Sequence, residues 1–130
     1  MDIFKEFTFD AAHYLPLVPE DHKCGATHGH TYYVTITVRG EVVPETGWVI
    51  DYADINSAFK PILAQLDHQC LNEIPGLGNP TCEVLAIWIW DKLTLPGLFE
   101  IRVKETASAG CAYRGEPFDP SYYSTGRGII

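Results

Sequence analysis

The segment CGATHGH, residues 24–30, puts one thiol and two imidazoles into a single short stretch. Such a set can ligate a metal, pair a nucleophile with a base, or merely fall together on an ordinary strand. His28 and His30 are two positions apart, so on an extended chain both side chains leave on the same face. They share that phase with Tyr32, Val34 and Ile36. Imidazoles that enter an apolar face need partners, because an unpaired buried polar group is costly. A third histidine, His13, closes the upstream stretch IFKEFTFDAAH. If the first two strands form a hairpin, His13 stands opposite His28 and His30. Three neutral imidazoles suit Zn²⁺, and an open fourth position makes such a site catalytic. Cys24 as a fourth ligand would instead close a structural Cys-His₃ site. These residues leave both readings open.

Two further groups are chemically suggestive. LDHQC places Asp67 and His68 side by side just beyond an apolar helical stretch. Glu105, in EIRVKET, shares phase with Ile101 and Val103, the inward face of a strand. A carboxylate at the inward end of a strand pairs with a cation or binds a ligand, unless the frayed end turns it out to solvent.

The elements that position these groups follow from periodicity. Residues 3–13 read as a strand with Phe7, Phe9, Ala11 and His13 in one phase. Residues 14–27 hold Pro16, Pro19 and Gly25 and read as a loop. HGHTYYVTITVRG alternates cleanly, with Tyr32, Val34, Ile36 and Val38 on the buried face. PETG at 44–47 makes a turn. Asp51 is a suitable N-cap for a helix whose stripe is Ile55, Ala58, Phe59, Ile62, Leu63 and Leu66. Pro61 interrupts that stripe and predicts a kink or break there. NPT at 79–81 opens a second helix, with the proline suited to its first turn. CEVLAIWIWDKL is apolar nearly all round and predicts burial on most sides. EIRVKE and CAYRG read as short strands joined by TASAG. The order is ββααββ, an α+β sheet with helices on one face. Residues 117–130 show no periodicity and read as an irregular tail to a domain spanning 1–116.

Composition narrows the function classes. The chain has 130 residues, enough for one domain with a real core. A net charge of −8 argues against nucleic acid, whose backbone demands a basic face. No apolar run approaches the ~20 residues of a membrane helix, and the amino terminus lacks a secretory pattern. Cys24, Cys70, Cys82 and Cys111 form no CxxC pair. With no export signal they read as free thiols of a reducing, cytoplasmic compartment, most of them small buried apolar groups.

These motifs occur together in a known family. CGATHGH with an upstream FDAAH, then LDH, NPT plus EVLA, and VKET followed by YRGE, resembles the 6-pyruvoyltetrahydropterin synthase family over roughly residues 3–116. The CxxxHGH spacing is similar to the family's queuosine-pathway branch, and so are HKCG, TGWVIDY and GCAYRGE. The resemblance implies the tunnelling fold, a four-stranded antiparallel sheet carrying two antiparallel helices. It implies subunits joined edge to edge into rings that pair as a hexamer, with active sites at subunit interfaces. The implied substrate is 7,8-dihydroneopterin triphosphate. This branch yields 6-carboxy-5,6,7,8-tetrahydropterin, acetaldehyde and triphosphate, whereas others eliminate triphosphate to a pyruvoyl product. By the same resemblance His13, His28 and His30 match the zinc ligands and Cys24 the catalytic thiol. Asp67 and His68 match the pair that assists it, and Glu105 the carboxylate that anchors the pterin ring. Lys23, Lys104 and Arg114 are candidates for the triphosphate by their nearness to these motifs. A non-enzymatic zinc- or pterin-binding protein is the contrasting class.

Overall fold

The computed structural model describes residues 1–118, so most of the expected 117–130 tail lies outside the described residues. Its elements run β1 (Asp2–His13), β2 (His28–Arg39), α1 (Tyr52–Leu66), α2 (Cys82–Lys92), β3 (Leu98–Lys104) and β4 (Gly110–Tyr113). The strands form one antiparallel sheet in the order β1-β2-β3-β4. The α+β architecture expected from the sequence is the one observed.

Alternation decides which face is buried. Tyr32, Val34, Ile36 and Val38 of β2 and Ile101 and Val103 of β3 are almost wholly inaccessible. They pack in one core with Ile55, Phe59, Ile62 and Leu66 of α1 and Val84, Leu85, Trp88 and Ile89 of α2. α1 lies against β1, where the Phe7 and Phe59 rings stand 4.7 Å apart, and α2 lies against β3 and β4.

The helix ends differ in part from expectation. Asp51 caps α1 as expected, its carboxylate accepting from the Ala53 N–H at 2.9 Å. α1 then continues as helix through Pro61 without the break that an interior proline predicts. Pro61 and Ser57, four residues earlier, both lie on the exposed side. The carbonyl deprived of its partner therefore faces water, which satisfies it in place of the missing N–H. In α2 the cap is Thr81, whose hydroxyl accepts from Val84 N–H at 3.1 Å. Pro80 stands one residue before that cap rather than in the first turn, and its carbonyl is free to serve elsewhere.

Candidate metal centre and surrounding groups

The β1–β2 register brings the three histidines together. His13 is the cross-strand partner of His28, and Ala11 that of His30. All three imidazoles therefore lie on the inward face at one end of the sheet. Their ring centroids are 4.6 to 5.0 Å apart, and their ligand nitrogens lie within 4.8 Å of one another. His13 is buried, with 1% exposure, while His28 and His30 are half-buried.

Hydrogen bonding sets the tautomers. His13 Nδ1 lies 2.8 Å from the Pro80 carbonyl oxygen, and His28 Nδ1 lies 2.7 Å from that of Ala26. A carbonyl can only accept, so each Nδ1 carries the proton and each Nε2 offers a lone pair. These two Nε2 atoms face one another at 3.0 Å. Opposed lone pairs at that distance repel unless a cation lies beside both. His30 Nε2 is buried with no hydrogen-bond partner in the protein. Two aligned lone pairs and one orphaned nitrogen are what a metal ion would satisfy, so the residues present fit one. Burial holds the His13 pKa below the ordinary imidazole range, reinforced by His28 and His30 and opposed by the Pro80 carbonyl and Glu105. The neutral form is the one that ligates. Sequence reasoning missed the Pro80 and Ala26 carbonyls, which carry no side-chain signal. It also missed the polar role of Tyr32, whose hydroxyl sits 3.2 Å from His13 Nδ1. Its phase alone could have shown that proximity.

Cys24 occupies a short 3₁₀ turn, Lys23–Gly25, and is half-buried. Its backbone N–H donates to His22 Nδ1 at 3.0 Å and its carbonyl accepts from Leu15 N–H. Its sulfur is not among the ligand atoms gathered at the triad. Among the described residues the gathered ligand atoms are therefore the three imidazoles without the thiol.

Asp67 and His68 end α1 and are tied to the edge of β1. Asp67 Oδ1 accepts from Asp10 N–H at 3.1 Å and lies 3.0 Å from His68 Nδ1. His68 N–H donates to the Asp10 carbonyl at 2.7 Å. Those contacts hold His68 at φ 61°, a left-handed backbone that costs a non-glycine residue strain. The Asp10 amide and then His68 keep the Asp67 pKa below the usual carboxylate range. The His68 ring is largely exposed and lines an open cleft of about 620 Å³ together with His30, Asp10 and Gly29. Among the described residues, neither Asp67 nor His68 shares a hydrogen bond with Cys24.

Glu105 follows β3 directly, and its N–H donates to the Ala109 carbonyl at 3.2 Å. It is half-buried and follows the buried Ile101 and Val103 in the same two-residue phase. The three cations do not share one setting. Lys23 is exposed beside Cys24, Lys104 stands 5.8 Å from the Tyr33 ring, and Arg114 is held by Glu100 at 2.9 Å.

Residues 2–116 match the 6-pyruvoyl tetrahydropterin synthase family. The chain belongs to that family. A 6-carboxy-5,6,7,8-tetrahydropterin synthase of Synechocystis sp. is 36% identical over 126 residues, covering 91% of this chain and 96% of that protein. The human 6-pyruvoyl tetrahydrobiopterin synthase is 38% identical over 97 residues, covering 68% of this chain and 67% of that protein. The solved 6-pyruvoyl tetrahydropterin synthase of Caenorhabditis elegans superposes with a TM-score of 0.82 at 26% identity, covering 89% of this chain and 96% of that one. Family membership accounts for the tunnelling fold, and the histidine triad stands where a pterin synthase could hold a metal ion.

Proposed function

We propose that this chain is a zinc-dependent carbon–carbon lyase that converts 7,8-dihydroneopterin triphosphate and water to 6-carboxy-5,6,7,8-tetrahydropterin, acetaldehyde and triphosphate, a step of queuosine (7-deazaguanine) biosynthesis. The observation that carries this reading is the triad of lone-pair-bearing imidazoles, with the Cys24 sulfur outside the gathered ligand set. The near full-length match to the carboxytetrahydropterin-forming relative favours this branch over the biopterin-forming one, which aligns over a shorter part of the chain.

His13, His28 and His30 hold the zinc. When bound there, the ion supplies a Lewis acid that raises the acidity of the substrate side-chain hydroxyls and of their neighbouring C–H bonds. Cys24, free of coordination, serves as the base that removes a proton from the side chain; a fixed ligand could not. His68 relays a second proton through Nε2, with Nδ1 held by the ionised Asp67. Glu105 accepts two hydrogen bonds from the pterin amino group and ring N–H, a bidentate fit that needs both carboxylate oxygens. Lys23 beside Cys24 and Lys104 beside Glu105 supply cations for the triphosphate, while Arg114 is already engaged by Glu100. Catalysis takes place within residues 1–116 in the cytosol, and residues 117–130 lie outside this unit.

Among the described residues Cys24 shares no hydrogen bond with Asp67 or His68, which supports an active site completed between subunits. β1 and β4 are the sheet's two edges, and where residues 67–70 do not cover β1 such edges are ready-made pairing surfaces. The edge strands are consistent with the subunits joining edge to edge into rings that pair as a hexamer.

The test is product analysis by mass spectrometry after mixing zinc-loaded protein with dihydroneopterin triphosphate. Carboxytetrahydropterin with acetaldehyde is expected. Pyruvoyltetrahydropterin would keep the site and change the reaction. No turnover with zinc bound would make the protein a binder.

A further inference from the structure

Two thiols outside the site just described stand against each other. Cys82 opens α2 and Cys111 lies in β4, and their sulfurs are 3.7 Å apart. Cys82 is buried, its thiol donating to the Val103 carbonyl at 3.2 Å. Cys111 is the cross-strand partner of Val103. It is half-buried and lines a surface cleft of about 390 Å³ with Arg102, Lys104 and Ser108. The two sulfurs thus bridge the start of α2 and the β3–β4 hairpin, and the turn of that hairpin carries Glu105.

We propose that Cys82 and Cys111 form a reversible redox site, closed by hydrogen peroxide into an intramolecular disulfide that displaces the Glu105 turn. A disulfide brings its sulfurs to about 2.05 Å, so closure asks for about 1.7 Å of approach from the reduced pair. The chemistry balances in two steps. The Cys111 thiolate attacks the peroxide O–O bond, giving a sulfenic acid and hydroxide, which takes up the proton that the thiol had released. The Cys82 thiol then attacks the sulfenic sulfur, the S–S bond forms, and water leaves. Two sulfurs are each oxidised by one electron, and the peroxide is reduced to two waters. The roles follow from position. Cys111 is the less buried of the two, and its contact with the Cys82 thiol lowers its pKa. Cys82, in contact with Cys111 and buried, is pushed the other way and acts second.

The hairpin has little slack to absorb the closure. A Cβ at Gly110 would run into the Val103 carbonyl oxygen and the Lys104 backbone, so β4 packs against β3 at the limit of approach. Closure also withdraws the Cys82 thiol from the Val103 carbonyl. A shift of Cys111 therefore passes into residues 105–109, which are closed by the Glu105 and Thr106 N–H groups on the Ala109 carbonyl and by Ser108 N–H on the Thr106 hydroxyl.

The experiment uses the full chain carrying Cys24→Ser and Cys70→Ser, so that this pair alone reports. It is treated with equimolar hydrogen peroxide, then analysed by intact mass, by unreduced peptide mapping and by amide hydrogen exchange. The expected result is a loss of two hydrogens, a peptide linked through Cys82 and Cys111, and reversal by dithiothreitol. Exchange across 105–110 should quicken about tenfold in the oxidised form. Adding Cys111→Ser should abolish the link. Sulfinic acid on Cys111 without a cross-link overturns the proposal. A cross-link that leaves exchange across 105–110 unchanged overturns it too. The wild-type chain mapped in the same way gives the same answer should the double variant fail to fold.

Discussion

His30→Leu should stabilise the metal-free protein and destroy the stabilisation that zinc provides. In the metal-free state His30 Nε2 is a buried nitrogen with no partner, and it sits among the His13, His28 and Tyr32 rings. Leaving such an atom unsatisfied costs about 1–3 kcal/mol, and an apolar side chain of similar size removes that cost. Imperfect fit of the leucine returns part of the gain, so a net stabilisation of about 1 kcal/mol is expected. For a chain of this length that raises the metal-free melting temperature by about 3–6 °C. Zinc reverses the order. Free zinc at about a thousand times its Kd adds about 4 kcal/mol to the wild type. A structural zinc site is worth about 10–16 kcal/mol over four ligands, so losing one ligand weakens binding by about a hundredfold to a thousandfold. The variant should therefore gain only about 0.4–1.4 kcal/mol at the same zinc concentration. The assay is thermal unfolding in chelator and in buffered zinc, with affinity from competition against a chromophoric chelator. A metal-free His30→Leu protein that melts clearly below wild type would show that the nitrogen is not an unpaid cost. A variant that keeps the full zinc gain would refute the ligand assignment.

Cys24→Ala should leave zinc stoichiometry and affinity unchanged while lowering kcat by about 10²–10⁴, the usual contribution of a positioned base; metal analysis beside single-turnover kinetics checks it, and lost zinc would restore the closed site. Glu105→Gln keeps size but loses one acceptor and the charge, so pterin binding should weaken about 10- to 150-fold, the worth of about 1.5–3 kcal/mol in hydrogen bonds to a charged group; fluorescence titration with a pterin reads it directly. The lowered His13 pKa has a definite sign: the unfolded chain binds the proton first, so metal-free stability is complete above about pH 6.5 and falls as pH drops below it. Denaturant melts from pH 8 to 5 in chelator should show that slope, and His13→Leu should flatten it. His68→Gly relieves the left-handed strain at φ 61° and should change stability by about 1 kcal/mol or less, in the favourable direction, while turnover collapses; equal losses in both would mean that His68 only holds the end of α1.

What could be read in the sequence is what a local period encodes. Strict alternation from His28 to Arg39 dictates which face of β2 is buried, and the first two strands are joined by a loop that returns His13 to His28. The meeting of the three histidines followed from those two facts alone. The misses share a cause, which is that they depend on where a backbone group points after packing. Pro61 sits inside α1 because the carbonyl it strands is on the water side, and no pattern within the helix states that in advance. Pro80 lies before its helix cap rather than after it, and that single-residue displacement frees the carbonyl that fixes the tautomer of His13. The same end of α2 carries Cys82, whose contact with Cys111 spans two elements with no spacing signature in either. The start of α2 thus touches both the metal cradle and the Glu105 hairpin through groups that sequence periodicity cannot register. A helix end tied at both places transmits small shifts between them, because packed cores move as units. Substitutions at Thr81, which anchor that end without touching any proposed ligand, should therefore disturb zinc and pterin binding together. Substitutions at Asp51, the equivalent cap of α1, should change stability while leaving both affinities alone.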